Sequence, residues 1–183
     1  GFDWPGHSDS DATCSQPHRL DGDQIFISKG YGIGAGVFAP AGAADEGSAG
    51  LDFRPVWRQA SLLKTKFTNV TMHEGHAYGL SDGILECVRL EDGKRRWKGG
   101  RYGQGQVLRV GDLLLVQAED GDVVLVECSP EKRVELARLA ALDGQTWNTL
   151  SLSGNRLLVR NAEEAACYRL PLAHEASGPD AGG

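Results

Sequence analysis

The chain has 183 residues, 40% of them hydrophobic and 24% charged, with a formal net charge of −6. That is one domain's worth of a folded rather than a disordered protein. The acidic balance argues against a nucleic-acid surface, which would present a basic patch, and there is no run of about 18 apolar residues that could cross a membrane as a helix.

Residues 1–17 are polar and rich in Asp, Ser and Pro. They show no charged segment followed by an apolar one, as a secretory signal would. Trp4 reads as the end of an outer strand, and the remainder to Pro17 as a crossing loop. His7, His18, Asp9 and Asp11 do not read as a metal site, because no ligand pair sits at a fixed short spacing on a defined element. Asp23 to Ser28 alternates as a strand, with Ile25 and Ile27 on one face and Phe26 on the other. The stretch GYGIGAG from Gly30 to Gly36 lacks the lysine and the following helix of a phosphate loop, and is expected to be a glycine-rich hairpin turn. Residues 39–50 (APAGAADEGSAG) show no periodicity and read as a loop insertion.

The most informative stretch is Met72 to Trp97. It holds three apolar runs separated by Ser81-Asp82-Gly83 and Glu91-Asp92-Gly93-Lys94. Asp-Gly between apolar runs is a strong hairpin signal, so this is a meander of antiparallel strands. The pattern recurs. Aligning Gly75 with Gly111 superposes Gln106 to Arg138, and Gly154 opens a third copy (LSLSGNRLLVRNAEEAACYRL). A degenerate first copy lies around Gly22, and PVWRQ around Trp57 matches RRWKG around Trp97. Units of about 40 residues with several short strands each predict propeller blades. Glu131 to Leu142 is rich in helix formers, yet the repeat places an outer strand over Val134 to Leu139, with Leu136 or Ala137 where Trp97 stands.

The expected class is all-β: blades of four-stranded antiparallel meanders, an incomplete propeller of about three to four blades. The expected limits are a crossing loop at 1–17, blades at 18–60, 61–100 and 101–142, a last partial blade at 143–172, and a polar tail at 173–183. A closed propeller has typically four to eight blades, so the chain reads as the C-terminal portion of a larger ring. A four-bladed closure and a pairing of two arcs are the alternatives. Cys87, Cys128 and Cys167 follow the repeat rather than a metal-binding spacing, and are expected at equivalent core positions of successive blades.

LEDGKRRW (Leu90 to Trp97) resembles the tryptophan-docking repeat of pyrroloquinoline-quinone-like β-propellers. The likeness extends through DGDQIFISKGYGIGAG, FTNVTMHEGHAYGLSDGILECVRLEDGKRRW and SGNRLLVRN, over roughly Trp4 to Leu172. The group includes an outer-membrane assembly lipoprotein, so the resemblance implies a periplasmic or otherwise exported location; the chain itself does not fix a compartment. It implies structural docking roles for Trp57, Gly93, Lys94 and Trp97. It further implies that the segments entering each innermost strand reach a central channel. Channel-face candidates are then Lys66 and Asn69, Gln104 and Gln106, Trp147 and Asn148, and Arg160 with Asn161. Asn69 equally suits a turn, and Trp147 either lines the channel or packs between blades. No catalytic set and no metal site is visible. The resemblance therefore implies a binding or scaffold module without a cofactor, its partners being the remaining propeller blades or another protein. The alternative is part of a quinoprotein dehydrogenase using pyrroloquinoline quinone with calcium.

Overall fold

The computed structural model describes Trp4, residues 12–41 and residues 52–171. His7, Asp9, Asp11, most of the insertion and the polar tail lie outside them. Among the described residues, fifteen strands form four antiparallel sheets in chain order. The first holds β1 (His18–Arg19), β2 (Ile25–Lys29), β3 (Gly34–Pro40) and β4 (Phe53–Gln59). The second holds β5 (Thr71–His73), β6 (His76–Ser81), β7 (Ile84–Arg89) and β8 (Arg95–Arg101). The third holds β9 (Gln106–Val110), β10 (Leu113–Gln117), β11 (Asp122–Glu127) and β12 (Glu135–Ala140). The fourth holds β13 (Ser151–Ser153), β14 (Arg156–Arg160) and β15 (Ala165–Arg169).

The second, third and fourth sheets are meanders whose turns are two-residue hairpins or short loops, and the first joins β3 to β4 across the insertion. Asp82-Gly83 closes β6 on β7 with φ of 49° and 80°, the left-handed pair that Asp-Gly tolerates and that matches strand twist. The sheets then stack face to face. Ala77 and Val88 of the second sheet meet Phe26, Ala35 and Val37 of the first. Tyr78, Leu80, Leu85 and Cys87, on its other face, meet Leu114, Val116, Val124 and Val126 of the third. Leu115 and Val123 meet Leu157 and Val159 of the fourth. Each Val, Leu or Phe among them taken fully out of water contributes about 1.5–3 kcal/mol. The seams between sheets are therefore the core, which is why alternate residues on both faces of a middle strand are apolar.

Two indoles cross these seams. Trp57 on β4 donates its Nε1–H to the Leu90 carbonyl at 2.7 Å, and Trp97 on β8 donates to the Ser129 carbonyl at 2.8 Å. Gly93 lies against the Trp57 ring, where a Cβ would stand 2.8 Å from two ring carbons. The Lys94 ammonium stays exposed, 3.2 Å from Asp92. The buried Glu86 carboxylate accepts the Leu63 N–H at 2.7 Å and pairs with Arg95, fixing the segment that crosses from the first sheet to the second.

Three expectations change in detail. The second-to-third repeat is offset one residue further than the Gly75–Gly111 alignment. β5 and β6 turn on Glu74-Gly75, whereas β9 and β10 turn on Gly111-Asp112, so the glycine is second in one turn and first in the other. Cys87 and Cys167 do stand at equivalent places, opposite Tyr78 and Leu158. Cys128 lies beyond β11 instead, and Cys167 is exposed while Cys87 and Cys128 are buried. β3 also runs on to Pro40, so Ala39 and Pro40 are strand rather than insertion. Glu135–Ala140 is a strand despite its helix-forming residues, because β11 offers it an edge to pair with. Ala137, opposite Leu125 at the same bulge that places Trp97 opposite Cys87, holds the tryptophan's position.

Candidate binding face at the inner strands

Thr71, Leu108 and Ser151 on the first strands pair with Tyr78, Leu115 and Leu158. Relative to these pairs, Phe67, Gln104 and Trp147 occupy one and the same place in three successive sheets. The rings of Phe67 and Trp147 touch, with centroids 5.0 Å apart and planes at 58°. They belong to sheets that are not neighbours. They meet because stacked radial sheets converge at their first strands.

Hydrogen bonds brace this convergence. Gln106 on β9 donates Nε2–H to the carbonyls of both Phe67 (3.3 Å) and Trp147 (3.1 Å). Asn69 Oδ1 accepts the Gln16 N–H at 2.8 Å, tying the second sheet to the first. Glu119, in the β10–β11 turn, takes the Trp147 Nε1–H on Oε1 at 2.7 Å and the Gln104 N–H on Oε2 at 2.9 Å. The Gln104 amide, then the Trp147 indole, hold its carboxyl below the usual range, and the nearby Lys66 charge acts in the same direction. Gly103 has φ +66°, and a Cβ there would stand 2.3 Å from Glu119 Oε2. The backbone can close on the carboxylate only because that side chain is missing. Trp147 remains 45% exposed, with its indole oriented by Glu119. A groove of about 570 Å³ adjoins it, lined by Tyr102, Gly103, Glu119 and Gly144 among others.

The remaining candidates fall into two groups. Lys66 holds its ammonium 5.9 Å from the centre of the exposed Tyr31 ring, and Asn148 is half-buried in the Trp147 segment. Asn161 is buried and structural: it donates to the Asp143 carbonyl at 2.8 Å, and its Oδ1 accepts the N–H of Glu163 and Glu164. Arg160 lies on the exposed face of β14, turned away from the third sheet. Glu119 and Tyr31 carried no sequence signal, since one sits in an acidic turn and the other in a glycine-rich one. Phe67 was readable from its alignment with Gln104 and Trp147.

No family model and no curated protein matches the chain. Solved structures do. BamB from Moraxella catarrhalis superposes with a TM-score of 0.61 at 18% identity, over 84% of this chain and 41% of that one. The fold is that of a β-propeller. The computationally designed Ika4 protein superposes with a TM-score of 0.59 at 10% identity, over 93% of this chain and 99% of that one. The designed Ika8 protein gives 0.52 at 11% identity, over 79% and 41%. The propeller sheets described here thus span less than half the length of BamB and nearly the whole of Ika4.

The quinone implied by the resemblance would need a calcium site. Both Glu119 oxygens are already bonded. Among the described residues no three His, Cys, Asp or Glu side chains stand together as a metal requires, so these residues do not fit that cofactor. No helix among them is long and apolar enough to span a membrane.

Proposed function

We propose that this chain is a binding and scaffold module of the quinoprotein-like propeller type, with its contact surface where the inner strands converge. The observation that carries the reading is Trp147. A large, half-exposed aromatic held rigidly by Phe67 and Glu119 has the make-up of an interface hot spot, because its ordering cost is met before a partner arrives. Lys66 and Glu119 flank it with opposite charges. The Gln104 Oε1 is buried without a donor among the described residues, so Gln104 serves this surface through its backbone N–H on Glu119 rather than through its side chain. In this reading Trp57, Gly93, Lys94 and Trp97 serve the architecture and Phe67, Gln104 and Trp147 serve recognition.

The test places a photo-crosslinking residue at the exposed position 145, in the groove beside Trp147, in the full protein, with position 56 on β4 as a rim control. A discrete adduct from position 145 in native extract, competed by unlabelled protein but not by the Trp147→Ala variant, supports the assignment. No adduct from position 145, adducts that arise equally from position 56, or adducts that the variant competes as well refute it. Titration with pyrroloquinoline quinone and calcium addresses the oxidoreductase alternative: a saturable bound spectrum with dye reduction overturns the scaffold reading.

A further inference from the structure

Lys98 stands on β8 opposite Glu86 of β7, so the two side chains leave the same face of the second sheet. The fully buried Glu86 carboxylate is occupied elsewhere: Oε1 takes Arg95 and Oε2 takes the Leu63 N–H. The half-buried Lys98 donates its ammonium instead to the Ser81 hydroxyl at 3.0 Å, and that oxygen also accepts the Lys64 N–H at 3.1 Å. The Lys64 and Lys94 ammoniums are each paired with a carboxylate, Asp82 and Asp92. Among the described residues no carboxylate stands within ion-pair distance of Lys98; Asp82 and Glu86 nearby are matched to Lys64 and Arg95.

A hydroxyl can partner an amine in both of its states. It accepts from the ammonium and donates to the free amine, whereas a carboxylate stabilises only the charged form. In this cluster the cations Lys64, Arg95 and Lys98 face the carboxylates Asp82 and Glu86, which leaves the positive charge in excess. Burial first, then repulsion from Arg95 and Lys64 against attraction by Glu86 and Asp82, holds the Lys98 amine below the usual lysine range. We propose that Lys98 is a modification site, an amine nucleophile that takes the acyl group of an acyl phosphate. The ammonium first gives one proton to water. The nitrogen lone pair then bonds to the acyl carbon, and the bond from that carbon to the phosphate oxygen breaks. Phosphate leaves with the electron pair and takes the second proton released by nitrogen, so the product is a neutral amide. The local positive excess suits this class of reagent, which arrives as an anion and releases another. Ser81 is fully buried and cannot compete for the acyl group. Trp147 takes no part, so the modification is independent of recognition at the inner strands.

The full folded protein is treated with acetyl phosphate, and each lysine is followed by peptide mass spectrometry. Lys98 is expected to gain the acetyl group several-fold faster than the exposed Lys94 and Lys132, and to lose that lead in urea. Across a pH series its rate should level off at lower pH in the folded chain than in the unfolded one. Lys64→Gln removes a repelling cation and should slow Lys98 by about two- to fivefold. Asp82→Asn removes an attracting carboxylate and should speed it by a similar factor. Asparagine tolerates the left-handed backbone at position 82, φ 49°, as aspartate does, so this variant keeps the test open should the other fail to fold. Added salt should slow acetyl phosphate more than it slows a neutral acetylating ester. Lys98 reacting no faster than Lys94 or Lys132 overturns the proposal. So does a lead that persists in urea, a rate that a folded variant leaves unmoved or moves the other way, or equal salt sensitivity of the two reagents.

Discussion

Replacing Trp97 with alanine tests whether the sheets are held together by their seams. The ring packs beside Tyr78, centroids 6.0 Å apart, on the cluster joining the second and third sheets. Truncating a fully buried aromatic costs about 3–5 kcal/mol; Trp97 is only partly buried, so about 2 kcal/mol is the appropriate share. Losing the donor to the Ser129 carbonyl adds about 1 kcal/mol. For a domain of this size about 3 kcal/mol lowers the thermal midpoint by roughly 6–12 °C. Trp97→Phe keeps most of the packing and loses only the hydrogen bond, about 1 kcal/mol and roughly 2–4 °C. Differential scanning calorimetry of the three proteins distinguishes them. An alanine variant melting within about 2 °C of the parent, or a phenylalanine variant as impaired as the alanine one, refutes the role assigned to the indole.

Gly93→Ala should destabilise more than Gly75→Ala in urea denaturation. Both require a left-handed backbone, but only the new Cβ at 93 meets the Trp57 ring while that at 75 meets nothing within 4 Å; equal losses would show that strain alone matters. Glu119 should hold Trp147 down to unusually low pH. Because its folded pKa is depressed, the contribution is present above the ordinary carboxylate range and is lost as pH falls through the lowered value. Indole fluorescence should therefore change below that range in the parent and not in Glu119→Gln, and a transition at the ordinary carboxylate pH would contradict it. The thiols should divide in two. Cys14 and Cys167 are exposed, whereas burial pushes Cys87 up to about 12 and Cys128 up to about 11. A thiol reagent at mildly alkaline pH should titrate two sites quickly and two only on unfolding, and four equal rates would disprove the assignment.

Much of the architecture was legible because propeller sheets are built from local signals. Asp82-Gly83 is the left-handed turn its residues announce, and the recurrence of short runs after Gly75, Gly111 and Gly154 delivers the sheets in chain order. What the sequence hid was register by a single residue. Glu74-Gly75 and Gly111-Asp112 close hairpins of the same length with the glycine at different positions, and only packing shows that Ala77 corresponds to Leu114. Helix-forming side chains from Glu135 to Ala140 were overridden by an available edge on β11. The inner face was half legible. Repeat alignment points to Gln104, Gln106 and Trp147, but Glu119 reaches them from the β10–β11 turn at the same end of the sheet, a contact that no repeat spacing encodes. Asn161 reads from sequence as a channel-face candidate, yet it is consumed by its own turn and the Asp143 carbonyl.

Ala137 occupies the place that Trp57 and Trp97 hold in the earlier sheets, so the last seam lacks a forward-reaching indole. A fastening runs backward instead, from the Tyr168 hydroxyl to the Ala141 carbonyl at 2.6 Å. The arc is thus bolted unevenly along its length, and thermal opening should begin by peeling the fourth sheet away while the first three stay assembled. Amide exchange along β13 to β15 would then outpace that along β5 to β12, leaving the fourth sheet as the most readily opened part of the stack.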